Sequence, residues 1–450
     1  MAISAGAGWW PVRAEPIVFD GATVLTMDDE GSIISDARVV VDDGAILKVG
    51  AAAAVEIPVD ATVIDASGQW LMPGLADMHV HYNAADQGLL YVANGITTVR
   101  NMSGWTGPAE WDALAEAGIL IGPKVSQPGP IIDGKGSFLG ENGLVVESPE
   151  QAIGAVRTMA SAGFDAVKLY EFLTPDSYRA AAATAREKDL KIYTHTPGSM
   201  TLLDVLAEAP DTIEHFDGYE AALVRDGFEA ELFLPFAEQW ANIDETKIDG
   251  VLDATLEAGT WNVPTLVLER GQLYAADPES FMQTPQAAYI PADMIDGWRA
   301  MDGFLRSFFP FTEAKREAKV RLLSRLREKG APVLIGTDAP NPYVAPGFAI
   351  HDELATFVEA GYRNDEILMI ATRDAARFFG DDAAGRIVEG AAADLLLLSS
   401  DPRADLGVLR RPEGVLIAGH WYDRKLIDVA LAARAAMFSA AAEAVNDSAE

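Results

Sequence analysis

Two imidazoles two residues apart carry the first chemical signal in this chain: His79 and His81, in PGLADMHVH. In an extended strand, residues i and i+2 point to one face, so both rings can reach one cation. Asp77 shares that face and can orient a ligand from behind. Lys168 follows in DAVKLY, His195 in KIYTHT, His215 in DTIEHF and Asp338 in VLIGTDA, each in or at the end of a short apolar run. The chain has 6 His, and four of them belong to this set. Two nitrogen ligands on one strand, a Lys in an apolar run, two later His and a late Asp form the pattern of a two-metal hydrolase.

Lys168 lies between Val167 and Leu169. An ammonium buried there must be paired or have a depressed pKa. A neutral amine can take up carbon dioxide as a carbamate, whose two oxygens can bridge two cations; the bland alternative is an internal ion pair. A bound metal lowers the pKa of its water from about 15.7 to about 7, worth about 12 kcal/mol, more than any single hydrogen bond in the site. Asp338, the expected catalytic residue, can bind metal, accept a proton from the water and carry it to a leaving amine. The chain has no Cys, so thiolate ligands are excluded. His and carboxylate donors suit two divalent ions, zinc first, with manganese, cobalt or iron also able to bind.

The elements that must hold these residues fall into two rhythms. Residues 16–70 read as short strands, with Asp20-Gly21 and Asp43-Gly44 as hairpin or tight-turn signals. From about residue 73, strands alternate with helices. SPEQAIGAVRTMASAG and TPDSYRAAAATAREKDL each open with a hydroxyl N-cap and Pro at the first helical position. DMHVH, GITTVRNM, a segment near PKVSQPG, DAVKLY, KIYTHT, TIEHF, WNVPTLVL and APVLIGTDA read as strands. The expected class is α/β: a distorted (β/α)8 TIM barrel over residues 73–384, with a composite β-sandwich domain from both chain ends, residues 1–72 and 385–450. GRIVEGAAADLLLLS and EGVLIAGHWYD supply its late strands, and an Ala-rich helix starts near residue 425. The aromatic-rich segment 271–312 reads as helix core, with a lid over the barrel mouth as the functional alternative.

Asp and Glu number 68 against 34 Lys and Arg, for a net charge of −34. That argues against nucleic acid and anionic membranes as partners. No stretch reaches the roughly 18 apolar residues of a membrane span, and the N-terminus lacks a basic region followed by an apolar core. The expected setting is cytoplasmic, with a small-molecule substrate and a homo-oligomeric assembly.

The blocks PGLADMHVH, GITTVRNM, DAVKLY, TIEHFDGY, GTDAPNPYVAPGFAIHDEL, ATRDAARFFG and GRIVEGAAADLLLL resemble those of the amidohydrolase superfamily, in its binuclear subgroup with a carbamylated lysine. The similarity covers nearly the whole chain and is greatest to imidazolonepropionase-like and Xaa-Pro dipeptidase-like members. It implies His79, His81 and Asp338 on one ion, His195 and His215 on the other, and carbamylated Lys168 between them. Asn101 departs from the Asp many relatives show, and the loop IIDGKGSFLGENG stands where many carry Gly-Gly-His. The expected activity is hydrolysis of an amide or peptide bond in a small molecule, a dipeptide such as Xaa-Pro or an N-acyl amino acid. The alternatives are a mononuclear deaminase or cyclic-amide hydrolase on the same fold, and a non-catalytic scaffold. Tyr219, His351, Arg100 and Tyr170 are candidates for substrate binding, and His420 reads as a surface residue.

Overall fold

The computed structural model describes residues 15–140, 143–228 and 236–449, with backbone alone for residue 236 and residues 440–449. The reading of the N-terminus as lacking a leader falls on residues 1–14, outside the described residues.

Runs of Val, Ile and Thr near the N-terminus form β1 (Ile17–Leu25), β2 (Ile33–Asp42), β3 (Ala45–Ala51), β4 (Thr62–Asp65) and β5 (Trp70–Pro73). Asp43 and Gly44 turn β2 into β3 with φ of 52° and 72°, as an Asp-Gly hairpin requires. Asp20-Gly21 does not turn the chain. It lies inside β1, where Gly21 at φ 82° interrupts the register with β2 between Asp20 and Ala22. The glycine absorbs a bulge, and the strand runs on.

Next come β6 (Leu75–Val80), β7 (Ile96–Asn101), β8 (Lys124–Ser126), β9 (Ile131–Asp133), β10 (Gly143–Val145), β11 (Ala166–Leu169), β12 (Lys191–Thr194), β13 (Thr212–Glu214) and β14 (Trp261–Val263). Every pairing among them is parallel, in sheets ordered β6-β7-β8 and β10-β9-β11-β12-β13-β14. Main-chain bonds tie the two sheets together. Gly129 N donates to Ala166 O (3.0 Å), Asn262 N to Pro332 O (3.2 Å) and Met78 N to Ile335 O (2.8 Å). The arrangement is TIM-barrel-like. Its crossover helices start as the sequence indicates: the Ser148 hydroxyl accepts from Gln151 N at Pro149–Ser161, and Thr174 accepts from Ser177 N at Pro175–Glu187.

Two expected strands are shorter than their apolar runs. WNVPTLVL extends only to Val263, because Pro264 donates no N–H and Thr265 turns left-handed at φ 47°; a helix, Leu268–Ala276, follows. APVLIGTDA pairs only through isolated bridges at Val333 and Ala339. Pro332 lacks an N–H, and Gly336 presses so close to β6 and β14 that a Cβ would lie 2.7 Å from His79 Cβ and from Val263 Cγ1.

At the other end, only Leu395–Leu398 of GRIVEGAAADLLLLS forms a strand, β15, followed by β16 (Gly414–Ile417), β17 (His420–Asp423) and the helix Arg424–Ala449. These late strands join the early ones in one 8-stranded sheet, ordered β17-β16-β15-β5-β1-β2-β3, with β4 on β1. Segment 271–312 is largely helical, in Leu268–Ala276, Pro278–Met282 and Ala292–Phe308. Phe281, Ile295 and Trp298 build a small core of their own with Tyr343, Ala345 and Phe348 from the loop after Asp338.

β15 explains why a run of four leucines is one strand. Leu395 and Leu397 pack in the core of the composite sheet, while Leu396 and Leu398 pack in the core of the parallel strands. With both faces buried, the usual polar alternation disappears. Leu396→Ala should therefore destabilise the whole protein by about 2–5 kcal/mol, whereas the same change at half-exposed Leu47 should cost well under that; urea unfolding followed by circular dichroism reads both.

Candidate metal centre

Parallel strands deliver their C-terminal ends to one rim, and the six residues expected to bind metal collect there. His79 is on β6 and His81 just past it; Lys168 is on β11; His195 follows β12 and His215 follows β13; Asp338 ends the segment after Val333. His79 Nε2 lies 3.2 Å and His81 Nε2 2.9 Å from Asp338 Oδ1. Ligand atoms of these three residues fall within 4.8 Å of one another. The His215 ring is 4.6 Å from that of His79 and 4.9 Å from that of His195. Lys168 acts electrostatically on both His195 and His215. The six residues singled out by type and spacing are brought together.

Three of the candidate ligands are oriented from behind. His79 Nδ1–H donates to Glu214 Oε2 (2.7 Å), which leaves Nε2 as the ring atom facing Asp338. Glu214 accepts two bonds from Arg100 Nη2 (3.0 and 2.9 Å) and one from the Thr212 hydroxyl. Burial alone would raise its carboxyl, but Arg100, Lys168 and His79 hold it well below the usual range. The Thr265 hydroxyl donates to Pro264 O (2.9 Å), so it must accept from His215 Nδ1–H (2.6 Å), and His215 Nε2 is free as a ligand atom. Asp338 Oδ2 accepts from Asn341 Nδ2 (2.9 Å). Asp77 does not reach a His ring. Its carboxylate takes the Thr337 N–H (3.0 Å) and hydroxyl (2.7 Å), pinning the turn that carries Asp338.

The protonation states fit a cation site. Burial keeps the imidazoles of His195 and His215 well below their usual range, hence neutral. Burial works against ionising Asp338, yet His79 beside it holds its carboxyl well below the usual range. Burial lowers the Lys168 ammonium to about 8, and its buried Nζ has no hydrogen-bond partner. An orphaned, easily deprotonated amine amid neutral imidazoles is a donor set awaiting further ligands.

The substrate candidates separate. Tyr170 stands at the site, its ring 4.3 Å from that of His195. The other three do not face it. Tyr219 is fully buried, and its hydroxyl pairs with Thr255 Oγ1 (2.9 Å). The left-handed backbone at His215, Phe216 and Gly218 swings its ring into the core. Arg100 is fully buried and spent on Glu214 and on Met78 O (2.6 Å). His351 is buried in a helix, its Nε2–H donating to Asn94 Oδ1 (3.2 Å), and burial with nearby Arg410 pushes its imidazole to about 3. Asn101, the departure after TTVR, is structural: its Oδ1 accepts from Tyr82 N (2.9 Å). His420 is partly exposed and donates to Glu116 O (3.0 Å). Sequence reasoning missed Glu214, Thr265, Asn341, Glu171 and Asp217. Glu214 carried the same signal as Lys168, a charge inside an apolar strand; Thr265 and Asn341 carried none.

Known proteins resemble this chain in sequence and in fold. The sequence model of the Amidohydrolase family matches residues 70–422. The chain is 27% identical over 418 residues to an imidazolonepropionase of Idiomarina loihiensis, covering 86% of this chain and 91% of that protein. Among solved structures it is similar in fold to bottromycin amidohydrolase, with a TM-score of 0.73, 23% identity and coverage of 95% of this chain and 91% of that one. It is also similar to a Xaa-Pro dipeptidase with bound methionine in the active site, with a TM-score of 0.65, 19% identity and coverage of 91% and 100%.

If Thr265 fixes the tautomer of His215, Thr265→Val should weaken retention of a divalent ion by about 10- to 100-fold, and Thr265→Ser should restore it. Equilibrium dialysis with metal analysis measures this; equal retention by the Val and Ser variants would remove Thr265 from the ligand scaffold.

Proposed function

The chain belongs to the amidohydrolase family of hydrolytic enzymes acting on C–N bonds, and we propose that it is a binuclear metal-dependent hydrolase of an amide or peptide bond in a small molecule. The carrying observation is the meeting of His79 Nε2, His81 Nε2 and Asp338 Oδ1 beside the unpartnered, buried Nζ of Lys168. In this reading His79, His81 and Asp338 would hold one ion, His195 and His215 would hold the other, and Lys168, once carbamylated, would supply oxygen donors. Zinc is the proposed metal. Bound ions would acidify water and polarise a substrate carbonyl. The barrel is read as a distorted (β/α)8 unit over residues 73–384, and the sheet from both chain ends as a separate composite domain.

The chain's own residues do the rest. Glu214 and Thr265 keep the ring protons of His79 and His215 on the far nitrogens. Asp338, ionised in its resting state, accepts the proton from the attacking water. As the carbonyl carbon gains that oxygen, the C–N bond breaks, and Asp338 returns the proton to the departing amine. Asn341 donates to Asp338 Oδ2 and so fixes the orientation of the carboxylate. The substrate classes this supports are a dipeptide and an N-acyl amino acid.

A second reading, a mononuclear deaminase or cyclic-amide hydrolase, takes support from the tightness of the His79, His81 and Asp338 group and from the imidazolonepropionase likeness. Metal content separates the two. The binuclear reading expects close to two divalent ions per chain by elemental analysis, and a reproducible value near one in fully active protein would reject it.

Two substitutions probe the site directly. Lys168→Ala and Lys168→Arg should both lose metal and activity with the fold retained, since neither forms a comparable carbamate. Full activity in either would refute the bridge. Asp338→Asn should lower kcat by about 100-fold or more, with a smaller change in KM; near-normal kcat would assign the proton transfer elsewhere.

A further inference from the structure

The groups suited to holding a substrate carboxylate, Tyr219, Arg100 and His351, are buried and engaged. The rim beside His195 presents the opposite chemistry. Glu171, with a side chain 39% exposed, sets Oε1 3.3 Å from His195 Nδ1, and Asp217 Oδ2 lies 3.9 Å from the same nitrogen. Aromatic residues flank Glu171 in sequence and pack on one another. Tyr170 and Phe172 are its chain neighbours, and Phe138, from the loop after β9, meets both edge to face, at 6.3 and 5.9 Å. Phe138 is 68% and Phe172 41% exposed. Large rings left open beside a carboxylate form a surface that gains from being covered, and aromatic faces attract cations.

The charge balance points the same way. The overall charge of −34 concentrates cations near the protein and repels anions.

We infer that the site selects a substrate bearing an ammonium group close to the scissile carbonyl, seated against Glu171 and the rings of Phe138, Tyr170 and Phe172. The α-ammonium of a dipeptide lies two bonds from its carbonyl carbon, so a carbonyl held at the His195 side of the centre brings that ammonium within reach of Glu171. An N-acyl amino acid has no such group. The substrate class is therefore a peptide-like amide with a free amine. This rests on the hydrolase reading, and the two can fail separately.

The test has a binding arm and a kinetic arm. Benzyltrimethylammonium has no lone pair to offer a metal, and neopentylbenzene is its uncharged isostere. Calorimetry on metal-loaded protein should show the cation binding about tenfold or more tightly than the isostere. The preference should fall to near one in Glu171→Gln with unchanged metal content, and binding should weaken in Phe138→Ala, a surface change that leaves the fold intact. In kinetics, dipeptides should exceed their N-acetyl counterparts in kcat/KM by about tenfold, with Glu171→Gln erasing the difference through KM. Equal binding of the isosteres, a preference indifferent to Glu171, or better turnover of the N-acetyl series would overturn the inference. So would tighter binding of benzoate that depends on exposed Lys135 of the Phe138 loop. Cation binding with no cleavage of either peptide series would instead reject the hydrolase reading and leave the cation seat standing.

Discussion

A fully buried ion pair, Arg100 with Glu214, sits at the centre of this structure. Taking both charges out of water is expensive, and a pair of apolar side chains would serve stability as well or better. What apolar residues cannot do is hold a proton in place. Glu214 faces Arg100 on one side and His79 Nδ1 on the other, so the charge of the guanidinium is felt at the imidazole through the carboxylate. The pair itself is thoroughly held. Arg100 also donates to Met78 O on β6 and to Thr212 on β13, and its guanidinium lies 4.4 Å from the centre of the Tyr193 ring. Three strands are thus tied beneath the ligands, and the pair specifies which nitrogen of His79 faces the rim.

Backbone strain gathers at the same rim. His215, Phe216, Thr265, Asp338 and Tyr343 all have φ between 47° and 63°, a region that costs non-glycine residues free energy. Four of these either belong to the ligand set or touch it in sequence or by hydrogen bond. Each strand must stop pairing and aim a side chain across the barrel mouth within one or two residues, and a left-handed residue does this at the least length. Gly336 serves the same end by another route, because only a residue without a Cβ lets the last segment lie against His79.

Much of this was legible in the sequence. His79 and His81 announce themselves by spacing, and Lys168 by a charge in an apolar strand. The helix openings at Ser148 and Thr174 follow local capping chemistry, and the structure realises both. Local rules failed where a residue's role depends on partners distant in the chain. Tyr219 looked like a mouth residue because it lies just past His215, but strand-end geometry turned it inward. Arg100 and Glu214 are 114 residues apart, and no pattern in either segment names the other. Asp20-Gly21 has the composition of a turn and serves as a bulge, since the pairing of β1 on both sides overrides it.

The loop after Asp338 ties the helical insertion to the rim of the parallel strands. Asp338 is held from three directions. Asp77 on β6 pins Thr337 just before it, and Asn341 grips its Oδ2 just after. Further along, the Tyr343 hydroxyl donates to Asp302 (2.8 Å), and Tyr343 packs with Phe281 and Trp298 of the helical insertion. That insertion sits outside the parallel strands, so it can change without disturbing the barrel core. Yet its small core is built on the loop that follows Asp338. Any rearrangement of those helices is felt first at Tyr343, then along a few residues at Asp338. Rearrangement of the insertion is thus limited to the range that leaves Asp338 Oδ1 beside His79 and His81.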